Sequence, residues 1–154
     1  MTYRRIISLD PGGSTGWAMR DKDGGISHGT FGPEEHHVEL WSFLDFNTPA
    51  VIVCERFVYQ RRELDKGVSL RLDSMEYIGL VKLFLGLRMS TQGELVLQTP
   101  SQAKHMWSDE NLKRLGLWGK TPHSRDALRH LLYYLCVNAD ESETRMDLLT
   151  RGKK

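Results

Sequence analysis

An apolar run, Ile6-Ile7-Ser8-Leu9, ends on Asp10 and passes at once into Pro11-Gly12-Gly13-Ser14-Thr15-Gly16-Trp17. No other segment restricts the possible folds so tightly. A strand this apolar is buried on both faces, where an ionised carboxylate is costly unless it pairs or meets a metal. The glycines of the turn let another group approach the backbone closely. The segment therefore offers a carboxylate beside open backbone, the combination that a hard cation and a phosphate require. Two other readings stay open on these residues. One is a strand-to-hairpin turn in which Asp10 satisfies the N–H groups of the turn. The other is the phosphate loop of sugar kinases and actin-like ATPases, which needs two such domains around a nucleotide, more than 154 residues supply.

Strand patterns cover roughly 4–10, 16–21 and 25–32, with Asp21-Lys22-Asp23-Gly24-Gly25 as the hairpin turn between the last two. Pro33-Glu34-Glu35 opens a helix that runs to about Leu44, since Pro and acids suit a first helical turn. Ala50-Val51-Ile52-Val53-Cys54 is a second doubly buried strand, and it too ends on a carboxylate, Glu55. The order β-β-β-α-β predicts an α/β fold with a mixed sheet and helices on its faces. The longest helical pattern spans 68–89 and is apolar around most of its circumference. It has more to bury than one sheet face can cover, which fits either a deep central helix or a subunit interface. Leu95-Val96-Leu97 supplies a final strand, a short helix follows from Thr99-Pro100-Ser101 to Trp107, and the last helix runs from Pro122 to about Val137.

Lys and Arg number 21 against 20 Asp and Glu, a net charge of +1, which argues against a protein that coats nucleic acid indiscriminately. The sum hides local clusters: Arg61, Arg62, Lys66 and Arg71, and then Lys104, Lys113, Arg114, Lys120, Arg125 and Arg129. Both suit a polyanion. Cys54 and Cys136 lie in apolar runs without metal-ligand spacing and read as buried free thiols of a reducing compartment, here the cytoplasm. No segment has the length of a membrane span.

The last helix begins His123-Ser124-Arg125-Asp126, and residues three apart share a helix face. Asp10, Glu55, His123 and Asp126 are thus four candidate ligands from two strand ends and one helix start. Such a carboxylate-rich set holds Mg²⁺ or Mn²⁺, and a pair of ions can clamp the attacking and leaving oxygens of a phosphodiester. His123 favours Mn²⁺ at one position or acts as a proton acceptor. His130, further along the same face, reads as a structural or supporting residue. His36 and His37 read as solvent-exposed neighbours pointing apart on a helix.

These motifs, together with Thr99-Pro100-Ser101-Gln102-Ala103-Lys104 and the extension Ala127-Leu128, resemble in order those of the RuvC Holliday junction resolvases, from Ile6 to about Leu135. The resemblance implies an RNase H-like fold, a mixed five-stranded sheet flanked by helices; the length of the chain reads as one domain over 1–150, and the basic end at 151–154 as a disordered tail. It implies a homodimer, formed through the helix at 68–89, that cuts two opposed strands of a four-way junction. Asp10, Glu55 and Asp126 correspond to the family's catalytic acids, His123 to its fourth ligand, and Lys104 to a lysine at the scissile phosphate. The shortness of the chain suggests a bacteriophage member acting in a host bacterium. The family often carries an aromatic three residues after the second acid, which helps open base pairs. Val58 stands there, flanked by Phe57 and Tyr59, so the wedge is displaced or missing; a second family lysine has no secure counterpart, with Lys113 only a candidate.

The expected reaction is metal-dependent hydrolysis of DNA to a 5′-phosphate and a 3′-hydroxyl. One ion on Asp10 with Asp126 or His123 acidifies the water, and a second on Asp10 and Glu55 stabilises the leaving oxygen. Arg61, Arg62, Lys66 and Lys104 hold backbone phosphates without reading sequence. The competing readings are a broader branched- or flap-DNA endonuclease and a junction-binding module without catalysis.

Overall fold

The computed structural model describes residues 2–33, 36–57, 72–88 and 93–138. Five strands form one sheet: β1 Ile6–Asp10, β2 Thr15–Arg20, β3 Ile26–Phe31, β4 Val51–Glu55 and β5 Glu94–Gln98. Their order is β3-β2-β1-β4-β5. The first three form an antiparallel meander, and β4 and β5 add in parallel to β1. The mixed sheet anticipated from the chain is therefore present, with strand limits within one or two residues of those expected.

Five helices are described: α1 His37–Asn47, α2 Asp73–Arg88, α3 Pro100–Met106, α4 Asp109–Arg114 and α5 Pro122–Val137. Helix α1 starts at His37, four residues later than the Pro33 start expected, and ends three later than Leu44. Helix α4 has no counterpart in the sequence reading. The Ser108 hydroxyl caps it by accepting from Asn111 N–H at 3.3 Å, but only Leu112 of its six residues is buried, too little to set a period. Among the described residues, no helix is long and apolar enough to cross a membrane.

Side-chain alternation divides the sheet into two faces. Ile6 of β1 and Val51 and Val53 of β4 pack under α5, against Leu128, Leu131, Leu132 and Leu135. Ile7 and Leu9 of β1 and Ile52 and Cys54 of β4 pack on the other side, against Leu40 and Leu44 of α1 and Tyr77, Val81 and Phe84 of α2. Both cysteines are buried. By the same parity Asp10 and Glu55 belong to the α5 face. The register pairs Leu9 with Cys54 across β1 and β4, so the two acids are the next residues of adjacent parallel strands.

The exposed-histidine reading fails for His36. It lies outside the helix at the N-cap position, and only 2% of its surface is accessible. Its ring is stacked against Phe31 and Tyr77, residues its local sequence does not reveal. His37 is the more exposed of the two, although its ring also stacks on Tyr77 at 4.5 Å.

Candidate active site

Helix α5 builds the site from its first turn. The Thr121 hydroxyl accepts from Ser124 N–H at 3.1 Å, and Pro122 occupies the first helical position. That turn sits directly on β2. A Cβ at Gly16 would lie 2.0 Å from the His123 carbonyl oxygen and 2.6 Å from Ser124 N. Only glycine permits this approach, and it brings the His123 side chain over the end of β1.

His123 Nδ1 lies 2.8 Å from Asp10 Oδ2. Asp10 is buried at 6% exposure. Desolvation is the main reason its carboxyl is held above the ordinary range; Glu55 and Asp126 push it further up, against the pull of the His123 hydrogen bond. His123 is raised in turn, chiefly by that same bond, with the charges of Asp10, Asp126 and Glu55 adding to it and burial opposing it. The four residues singled out in the sequence therefore share one electrostatic environment.

Glu55 is met by a second histidine on the same stripe of α5. His130, seven residues beyond His123, places Nε2 2.8 Å from Glu55 Oε2 and Nδ1 2.9 Å from Gln98 Oε1. Gln98 is the register partner of Glu55 on β5, and both it and His130 are buried. Two adjacent strand ends are thus each bonded to a histidine of one helix. His130 supports Glu55 as the sequence reading allowed. Gln98 was missed, for its place beside Glu55 depends on strand register. Replacing His130 with Ala leaves Glu55 and Gln98 without this partner, and should cost about 1–3 kcal/mol in urea denaturation. An unchanged midpoint would show that the bond adds nothing.

Asp126 turns to a different set of partners. Arg129, three residues on and 8% exposed, donates from Nη1 to Asp126 Oδ1, from Nη2 to Asp109, and from Nε to the Trp107 carbonyl at 2.9 Å. Lys104 Nζ approaches Asp126 Oδ2 at 3.2 Å. The guanidinium thus ties α3, α4 and α5 together at the third acid. Its i, i+3 spacing from Asp126 was the readable signal. Beside Asp126 opens a cleft of about 450 Å³, with Lys104, Arg125 and Arg129 among its walls. Near it, Arg125 and Lys113 stand over the Trp118 ring, at 4.6 and 4.4 Å from its centre.

Phe57 is half-buried just after β4. Val58, Tyr59, Arg61, Arg62 and Lys66 lie outside the described residues, as does the tail at 151–154. The helix expected over 68–89 is described from Asp73 to Arg88, with Leu72, Met75, Leu83 and Leu87 exposed.

Among the described residues, no three acids or histidines form a ready-made metal shell. The donor set nonetheless fits a hard divalent cation. Three carboxylates raise one another's negative potential, and Asp10 and Glu55 each use one oxygen on a histidine among the described residues. Hard oxygens with one imidazole suit Mg²⁺ or Mn²⁺. Binding would exchange or share the contacts now made by His123, His130, Arg129 and Lys104.

No family model matches the sequence, and no curated protein does either. Solved structures do. RuvC from Thermus thermophilus, in complex with Holliday junction substrate, superposes with a TM-score of 0.57 at 18% identity, over 86% of this chain and 92% of that one. A second T. thermophilus RuvC structure gives 0.54 at 18% identity, over 84% and 92%. The yeast mitochondrial Holliday junction resolvase Ydc2 gives 0.53 at 11% identity, over 95% and 83%. The likeness at these identities is one of fold: the chain has the RNase H-like mixed sheet of the RuvC resolvases, flanked by helices.

Proposed function

We propose that the chain is a divalent-metal-dependent endonuclease that resolves four-way DNA junctions, leaving 5′-phosphate and 3′-hydroxyl ends. The observation that carries the reading is the pair of carboxylates, Asp10 and Glu55, at the ends of adjacent parallel strands under one helix that also bears His123 and Asp126. The fold shared with a RuvC bound to Holliday junction substrate supports the choice of DNA class.

A bound divalent ion would supply Lewis-acid stabilisation of the phosphodiester and a more acidic water. The chain's own groups do the rest. Asp10, Glu55, Asp126 and His123 would hold the cation. Where the carboxylates alone hold the cation, His123, bonded to Asp10 through Nδ1, would instead accept a proton at Nε2 from an attacking water. Lys104, at the cleft beside Asp126, would neutralise a backbone phosphate, with Arg125 along the same wall. Arg61, Arg62 and Lys66 are proposed as further contacts to backbone phosphates, and Phe57 or Tyr59 as the substitute for the family's base-opening aromatic if the chain has one.

The exposed apolar residues of α2 suit pairing with a second copy of the chain, and a two-fold dimer presents two sites to two equivalent strands. The test is a labelled four-way junction, a flap and a linear duplex, each with Mg²⁺, Mn²⁺ or EDTA. The junction should be cut fastest, with no cutting in EDTA, and its binding should weaken steeply with salt. The same preparation should sediment as a dimer at micromolar concentration. Cutting in EDTA would sink the metal reading, and equal rates on all three substrates would replace the resolvase with a general nuclease.

A further inference from the structure

Away from the carboxylates, a buried stack of hydrogen bonds reaches the turn that follows Asp10. Thr15, fully buried at the start of β2, accepts from Gly12 N–H at 3.4 Å and has its Oγ1 2.6 Å from His36 Nε2. On the far side of the ring, Nδ1 is 3.3 Å from the Tyr77 hydroxyl, which also accepts from His36 N–H at 3.2 Å. The His36 and Tyr77 rings are parallel within 4° at 4.1 Å, and Phe31 stacks on His36 at 6.0 Å. Three residues before Tyr77 on α2, Ser74 donates to the Pro11 carbonyl at 2.7 Å.

Thr15 Oγ1 can accept from Gly12 N–H and from a ring N–H together, and the Tyr77 hydroxyl can donate to or accept from Nδ1, so either imidazole tautomer satisfies both ring nitrogens. The buried hydrogen-bonded network holds the turn, the ring and the helix in one arrangement. Helix α2 therefore grips the turn at two points, through Ser74 at Pro11 and through Tyr77 and His36 at Thr15.

We infer that Thr15, His36 and Tyr77 are positioning residues, which fasten the Pro11–Thr15 turn to α2 and so set the orientation of Asp10. In its effect on cleavage this rests on the nuclease reading above; in its effect on the turn it does not. The test compares Thr15→Val, Thr15→Ser, His36→Phe and Tyr77→Phe with the parent chain, metal-free for amide hydrogen exchange and with Mg²⁺ for junction cleavage. Thr15→Val removes the hydroxyl at constant shape, His36→Phe keeps the stacked ring without its nitrogens, and Tyr77→Phe removes one oxygen if the others fold poorly.

Exchange of the amides at 12–16 should rise about tenfold in Thr15→Val and His36→Phe, the worth of one lost hydrogen bond, while the amides of α5 hold. Turnover should fall about tenfold with junction affinity unchanged, and Thr15→Ser should restore both. Uniform exchange across the sheet, or a turn that stays protected in all three disruptive variants, would overturn the proposal. If the parent chain cuts no branched DNA, the nuclease reading fails, and exchange at 12–16 still decides the positioning role.

Discussion

Asp10→Asn should abolish cleavage while leaving the fold and DNA binding intact. The carboxylate is buried, and desolvation together with Glu55 and Asp126 already strains its charged form. Asn keeps its shape and removes one negative charge from the pocket. The loss of the charge-assisted bond to His123 opposes that gain, so stability should move by no more than about 1 kcal/mol. Catalysis has no such compensation. Charge stabilisation at a metal site is worth several kcal/mol, and turnover should fall by about a thousandfold or more. Junction affinity should hold or improve, since one repelling charge beside the phosphate is gone. The His123 titration, followed by NMR, should move down, because its bond to Asp10 is the chief cause of its elevation. Turnover above a tenth of the parent rate, in a variant that still binds junctions, would remove Asp10 from the chemistry.

Gly16→Ala should have the largest effect on stability of any single methyl added near the site. Its Cβ would stand 2.0 and 2.1 Å from the carbonyl oxygen and carbon of His123, and 2.6 Å from Ser124 N. These are backbone atoms, so no rotamer change relieves the contact, and α5 must lift from β2. Overpacking commonly costs about 1–3 kcal/mol, and this clash belongs at or above the top of that range. For a chain of this size that is a fall of about 6–12 °C in melting temperature. Cleavage should fall as well, because the displaced turn carries His123 and Asp126. Gly12→Ala is the control. Its Cβ would meet Ser14 O at 3.3 Å and His123 Cε1 at 3.7 Å, contacts a small shift accommodates. A Gly16→Ala protein that melts within 2 °C of the parent, roughly the value of half a kcal/mol, would show that α5 is less closely seated.

How far the site was readable differs from residue to residue. Asp10 and Glu55 were legible because each ends a mainly apolar run, and strand alternation groups Asp10 with Ile6 and Ser8, and Glu55 with Val51 and Val53. His123 and Asp126 were legible from helical spacing and a Thr-Pro start. His36 was misread, since its burial comes from Phe31 and from Tyr77, which is 41 residues away. Arg129 looked like one more cation of a basic cluster. Its role as the link between Asp126, Asp109 and the Trp107 carbonyl depends on how α3 and α4 dock, and the short α4 carries almost no period of its own.

Sequence patterns alone gave away the strands, the long helices and the alternation that groups each carboxylate with every second residue of its own strand. Those follow from local burial patterns and covalent geometry, which any short window of chain expresses. Tertiary packing, and no local pattern, lays β4 in parallel against β1 and so sets Glu55 beside Asp10. It alone decided that α5 crosses both strand ends, so that His123 meets one acid and His130 the other. Such placements depend on contacts between residues 75 to 113 positions apart, and on a glycine whose missing methyl matters only once a helix has come to rest against it.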